Sequence, residues 1–252
     1  MELRKTVLVS LVAFALAATL VAQQKPGTIA GLEFQRPKNG MTKQYEEGRK
    51  QKAAWHKQQK DTQALYVWQV IAGDAFGTYV VGRLGNHWKD LDTPSVPDAA
   101  DEAAYEKSVG PYVESVVARY YMYLPNISRP PDSMEPPAMS EIVIFHLRYG
   151  KTGEFMNLAR KINDAINKSN WPVHYEWFAL VAGGHSPTFA LSIPRNKWAD
   201  FEEPEKSFDK ILEEVYGKQE ASEIIAGLGR VVESEETEII KFRADLSYIP
   251  GK

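Results

Sequence analysis

The sequence predicts an α+β fold made of two tandem strand–helix–strand–strand–helix–strand units. Three observations carry this expectation. Residues 72–94 recur without a gap at 182–204, with Ala72/Ala182, Gly73/Gly183, Thr78/Thr188, Asn86/Asn196, Trp88/Trp198, Asp90/Asp200 and Pro94/Pro204 identical at an offset of 110. A fixed period of this kind marks an internal repeat. The proline-rich stretch 128–140, with Pro130, Pro131, Pro136 and Pro137, then separates the copies. Finally, the apolar periodicity on each side of that stretch follows the same order of strands and helices.

In the first copy, GLEFQRP (31–37) reads as a short strand and residues 42–60 as a helix. LYVWQVIAG (65–73) is dense in the β-branched and aromatic residues that suit a half-buried sheet. TYVVGRLG (78–85) is its hairpin partner. A helix is expected over 98–120, broken or kinked at Gly110-Pro111, and a strand over 120–128. In the second copy, EIVIFHLRYG (141–150) is a strand and 153–168 an amphipathic helix with Phe155, Leu158, Ala159, Ile162, Ala165 and Ile166 at helical spacing. Strands follow at 173–183 and 187–194, then a helix after Pro204 interrupted at Gly217, and a last strand at 237–247. The loops holding Trp88 and Trp198 read as structural plugs and helix starts.

The first 22 residues differ from the rest. Arg4 and Lys5 precede an uncharged apolar run from Val7 to Ala22, and polar Gln23-Gln24-Lys25-Pro26 follows. This is the pattern of a cleavable secretory signal. The expected organisation is a signal at 1–22, a first repeat at 23–130, a linker at 131–140 and a second repeat at 141–252. The chain contains no cysteine. Disulfides, thiol chemistry, cysteine-held metals and a lipoprotein anchor are therefore excluded. A periplasmic or secreted location, with no membrane association after cleavage, is the expectation. The formal net charge of −3 leaves no electrostatic footprint for nucleic acid.

Each copy has the order of the ferredoxin-like split βαβ motif, an antiparallel sheet with helices on one face. The bare apolar face of such a sheet needs a cover. With the Arg243-to-Ser247 end and the hairpin followed by a Trp-Asp loop, the chain resembles the dimeric α+β barrel superfamily, which includes antibiotic biosynthesis monooxygenases, NIPSNAP-type proteins and chlorite dismutases. It most resembles exported bacterial proteins with two tandem copies. The resemblance implies that the two ferredoxin-like sheets pack as an intramolecular dimeric α+β barrel. It implies no particular activity, because this fold serves unrelated chemistries.

No histidine pair has metal-site spacing, so neither metal nor cofactor is expected. His146 and Arg148 share one row of strand 141–149, and Glu176 joins them if its row also faces the barrel. These three are the candidate acid–base group. Tyr66, Trp68, Phe178, Trp55 and His56 are candidates for ligand binding, partly because the copies diverge at Tyr66/Glu176, Trp68/Phe178 and His56/Ile166. The wealth of Tyr and Trp without a recognisable catalytic set favours a non-catalytic binding or interaction protein taking a small apolar or aromatic ligand. A cofactor-free oxygenase- or isomerase-like enzyme is the alternative, and heme binding the third. Either a monomer or a homodimer is compatible with the duplication.

Overall fold

The computed structural model describes residues 27–133 and 135–251. The expected signal segment lies outside them. The elements run β1 (Ile29–Pro37), α1 (Thr42–Gln58), β2 (Tyr66–Ala72), β3 (Tyr79–Asn86), α2 (Asp98–Ser108), β4 (Val113–Tyr123), β5 (Met139–Leu147), α3 (Thr152–Ser169), β6 (Glu176–Ala182), β7 (Thr188–Arg195), α4 (Phe208–Val231) and β8 (Val232–Phe242). The order strand–helix–strand–strand–helix–strand thus occurs from Ile29 to Tyr123 and again from Met139 to Phe242.

The eight strands close into one antiparallel barrel in the order β1-β3-β2-β8-β5-β7-β6-β4. Each set of four is contiguous, and the joins are β2 with β8 and β4 with β6. A closed sheet leaves no edge strand to be protected. The helices cover its outside. On that side Phe155 of α3 packs with Phe145, Trp177 and Phe189, the ring centroids lying 6.0, 5.6 and 4.8 Å away.

The repeated Ala-Gly pair is explained at the joins. Gly73 ends the hairpin strand β2 with φ +107, and a Cβ there would lie 2.9 Å from Thr237 O and 2.9 Å from Glu238 Cγ of β8. Gly183 does the same at the other join, with φ +90 and a Cβ position 2.1 Å from Ala118 O of β4. Only glycine tolerates both the positive φ and the approach of the neighbouring backbone. Asp90 and Asp200 fix the loops that follow: Asp90 Oδ2 accepts from His87 N at 2.7 Å, and Asp200 Oδ2 from Asn196 N at 2.8 Å.

Three expectations need correction. The helix expected over 98–120 stops at Ser108, and Val113 already begins β4. β-branched Val113, Val116 and Val117 favour the pleated conformation once Gly110-Pro111 has ended the helix. The last strand spans Val232–Phe242 rather than 237–247, and 243–247 turn back so that Leu246 is buried. Trp88 and Trp198 are not plugs. They are 52% and 61% exposed, and the shared structural residue of each loop is the aspartate.

Candidate functional site

The register decides which rows face the barrel. On β1, Ala30, Leu32 and Phe34 point in while Gln35 points out to α1. On β5 the inward row is Ser140, Ile142, Ile144 and His146, and Val143 and Leu147 are buried on the helix side. Tyr66 and Trp68 of β2, Val80 of β3, Tyr121 of β4, Glu176 and Phe178 of β6, Ala190 and Ser192 of β7, and Glu238 and Ile240 of β8 complete the wall. They surround a cavity of about 580 Å³. Aromatic rings form much of it: Trp68 lies 5.6 Å from Tyr66 and 6.1 Å from Phe242, and Phe178 lies 5.5 Å from Tyr123. The end of the cavity where β5 and β6 begin is roofed by Pro130, Pro131, Ser133, Glu135, Pro136 and Pro137, so the linker lies across one barrel mouth.

Two carboxyls stand in this wall on one belt. Glu176 pairs with Ser192, Ser192 with Ile142, and Ile142 with Glu238 across successive strands. Burial pushes both carboxyls above the usual carboxylate range. For Glu238 a hydrogen bond from the Ala75 backbone and the charge of Arg119 work against that push. Glu176 has no such opposing partner. Tyr121 is also pushed up by burial, with Arg119 opposing. The Arg119 guanidinium lies 4.6 Å from the centroid of the Phe34 ring, and its buried Nε has no hydrogen-bond partner among the described residues.

His146, Arg148 and Glu176 are not brought together. His146 pairs with Thr188 on β7 whereas Glu176 pairs with Ser192, four residues along the same strand. That spacing is roughly 13 Å of strand. His146 sits at the far barrel mouth with Nδ1 2.8 Å from Thr188 Oγ1 and Nε2 3.1 Å from Glu236 Oε1. The Thr188 hydroxyl donates to His185 O at 2.6 Å, so it accepts from His146. Arg148 lies beyond the end of β5 and is exposed. Tyr66, Trp68 and Phe178 line the cavity. Trp55 and His56 do not, because α1 presents them to the helix–sheet layer outside the barrel.

That layer holds a second polar constellation. His56 is 1% exposed. Its Nδ1 lies 2.9 Å from Asp61 Oδ2, though off the line of a good hydrogen bond, and its Nε2 lies 3.2 Å from Lys52 Nζ. Lys52 Nζ donates to Asp101 at 2.7 Å, and Arg83 donates to Asp61 at 2.8 Å. Ser95 and the Gln63 backbone N–H also donate to Asp61. Burial and then the Lys52 charge push the His56 imidazole down to about 4. Burial likewise lowers Lys52, against the pull of Asp101. Burial alone would raise Asp61, but its donors, Ser95 first, outweigh that and hold it below the usual range. Arg83 and Gln63 also line the barrel mouth, so the network touches the cavity at one point.

At the 110 offset, Lys52, His56, Arg83 and Asp101 correspond to Ile162, Ile166, Ile193 and Ile211. Gln35, Tyr45, Arg49 and Tyr79 correspond to Phe145, Phe155, Ala159 and Phe189. The second half therefore fills the layer with apolar side chains and the first half with hydrogen-bonded polar ones. Only His56/Ile166 was singled out from the sequence. The same offset, read at every inward helix position and along the strand rows beneath the helices, would have found the others. Glu238 and Arg119 carried no such signal.

No family model and no curated protein matches the chain. Solved structures do. A proposed monooxygenase from Lactobacillus acidophilus NCFM superposes with a TM-score of 0.53 at 9% identity, covering 89% of this chain and 97% of that one. An anthrone oxidase-like protein gives 0.50 at 8% identity, with 90% and 95% covered. Chlorite dismutase from Candidatus Nitrospira defluvii in complex with imidazole gives 0.50 at 8% identity, with 88% and 93% covered. At such identities the likeness establishes the fold alone. The class is the ferredoxin-like α+β barrel.

Proposed function

We propose that the chain is a tandem duplication of the ferredoxin-like unit, NIPSNAP-like in its broad kinship and exported, whose barrel interior binds a small apolar or aromatic molecule. The observation that carries this reading is the cavity of about 580 Å³ enclosed by aromatic and aliphatic side chains. That volume falls in the range of small-molecule sites. Both sheets come from one chain, so no second copy is needed to close it. The test is titration with the neutral dye N-phenyl-1-naphthylamine. One molecule should bind per chain, and Ala190→Trp, which fills the cavity from β7, should abolish binding while the far-ultraviolet circular dichroism is unchanged. Equal binding by that variant would overturn the reading.

A second reading, an oxygenase- or isomerase-like enzyme, draws on the one point where the Lys52–His56–Asp61–Arg83 network reaches the cavity mouth. It does not draw on His146, Arg148 and Glu176 as a unit. Its test is turnover of a bound ligand that is lost in Arg83→Met. A heme would need an axial ligand, and among the described residues no histidine lines the cavity of about 580 Å³, His146 standing beyond it at the far barrel mouth. His146 already meets Thr188 and Glu236 through its two nitrogens. The barrel residues therefore do not fit a histidine-ligated heme.

A further inference from the structure

Among charged side chains lining the cavity, the carboxyls outnumber the cations. Glu176 and Glu238 stand in the wall, and Glu135 and Asp90 stand at the mouth. Among the described residues the one cationic lining residue, Arg83, is committed to Asp61 at 2.8 Å. Asp90 is held by the backbone of its own loop. Arg119 lies outside that lining, over Phe34, where its charge acts on Glu238 and Tyr121. Glu176 differs from all of these. It begins β6 on the inward row, two residues from Phe178, and it makes no hydrogen bond or ion pair with a described residue. A half-buried carboxyl without a partner is costly as an anion. An occupant that brings its own cationic donor removes that expense. The surrounding rings supply the other half of the recognition, because an organic cation is attracted to aromatic faces.

We propose that the barrel cavity selects a small organic monocation, an aryl- or alkylammonium, whose charged nitrogen sits at Glu176 and whose apolar body lies against Phe178, Tyr66 and Trp68. The proposal rests on the small-ligand reading above and gives that ligand a charge. Among the described residues no group of three or more acidic or histidine side chains is arranged to hold a metal ion. The two carboxyls have different roles. Glu176 anchors the cation, and Glu238, already supplied by Ala75 and Arg119, tunes the field of the belt.

The experiment compares three probes of similar size by isothermal titration calorimetry at pH 7.5: 2-phenylethylammonium, 2-phenylethanol and 3-phenylpropanoate. The ammonium is expected to bind about ten-fold or more tightly than the alcohol, and the carboxylate least well. Glu176→Gln should erase the preference for the ammonium, so that the ammonium binds no more tightly than the alcohol. Glu176→Met, which continues the apolar wall, should do the same if the glutamine variant folds poorly. Equal binding of ammonium and alcohol, tighter binding of the carboxylate, or a preference that survives both substitutions overturns the cation assignment and leaves the small-ligand reading standing. Failure of all three probes to bind overturns the small-ligand reading beneath it.

Discussion

His56 makes the stability of the fold depend on pH in a way that one substitution isolates. The ring is buried between Asp61 and Lys52, stacks 5.8 Å from Tyr248, and is pushed from 6.5 down to about 4. The folded chain therefore takes up this proton less readily than the unfolded chain. The stabilisation tied to a neutral ring is fully present above pH 6.5 and is lost as pH falls from 6.5 to about 4. Below that window both states are protonated and the effect stops growing. At about 1.4 kcal/mol per pH unit, the loss by pH 4 is roughly 3 kcal/mol. His56→Gln keeps hydrogen-bonding groups toward Lys52 and Asp61 but does not titrate. It is expected to be about 1–2 kcal/mol less stable than the parent at pH 7, for the lost ring packing. The gap should close, and then reverse, as pH is lowered toward 4. The assay is urea unfolding followed by tryptophan fluorescence at half-unit steps from pH 7.5 to 4. The difference between the two proteins cancels the carboxylates they share. Parallel curves over the whole range would refute the reasoning, because they would mean that the ring titrates alike in the folded and unfolded chains.

Three further outcomes are expected. Glu176→Gln should raise the urea midpoint at pH 7, by a stability equivalent of about 1 kcal/mol, since it removes an unpartnered carboxylate from an apolar wall. The folded group is raised above its usual value, so that advantage should shrink as pH falls through the raised value toward the unfolded one. Phe155→Ala should cost about 3–5 kcal/mol by opening a hole among Phe145, Trp177 and Phe189, with no change in ligand affinity because that ring lies outside the barrel. Gly183→Ala should cost about 2 kcal/mol or more, from the positive φ and the collision with Ala118 O, and Gly73→Ala should behave alike at the opposite join. Equal thermal midpoints for either glycine variant and its parent would remove the account given of the repeated Ala-Gly pair.

Most of the fold was legible in the sequence because its signals are local or periodic. The repeat from Ala72 to Pro94 places the hairpins, and the spacing of Phe155, Ala159, Ile162 and Ile166 places α3. What was not legible depends on register. Whether Ile142 or Val143 faces inward is a choice between two apolar rows of one strand, and only pairing with β7 and β8 settles it. Arg148 continues the inward row in sequence, but β5 ends at Leu147, so the side chain leaves the barrel. In VESEETEII, the alternation of the pleat sends Glu238 inward and buries it to 8% exposure, while Glu233 and Glu235 remain exposed.

The two halves share what the barrel needs and differ in what lies beneath the helices. Gly73 and Gly183 let each hairpin approach the closing strand of the other half, and Asp90 and Asp200 fix the turns that follow. Those demands are identical for both halves, so the residues match. Nothing in barrel closure requires a charged helix–sheet layer, as the isoleucines of the second half demonstrate. A buried lysine, histidine and aspartate, with a second, half-exposed aspartate beside them, are generally no more stabilising than apolar side chains of the same volume. Their presence on one side alone is therefore not explained by stability. The network ends at Arg83, which lines the cavity together with the proline-rich linker. If its role is to act on a ligand in that cavity, Lys52→Ile and Asp101→Ile together should preserve the fold and change ligand exchange rates or turnover. A double variant that binds and releases the probe at the parent's rates, with no change in any turnover, would assign the network to packing alone.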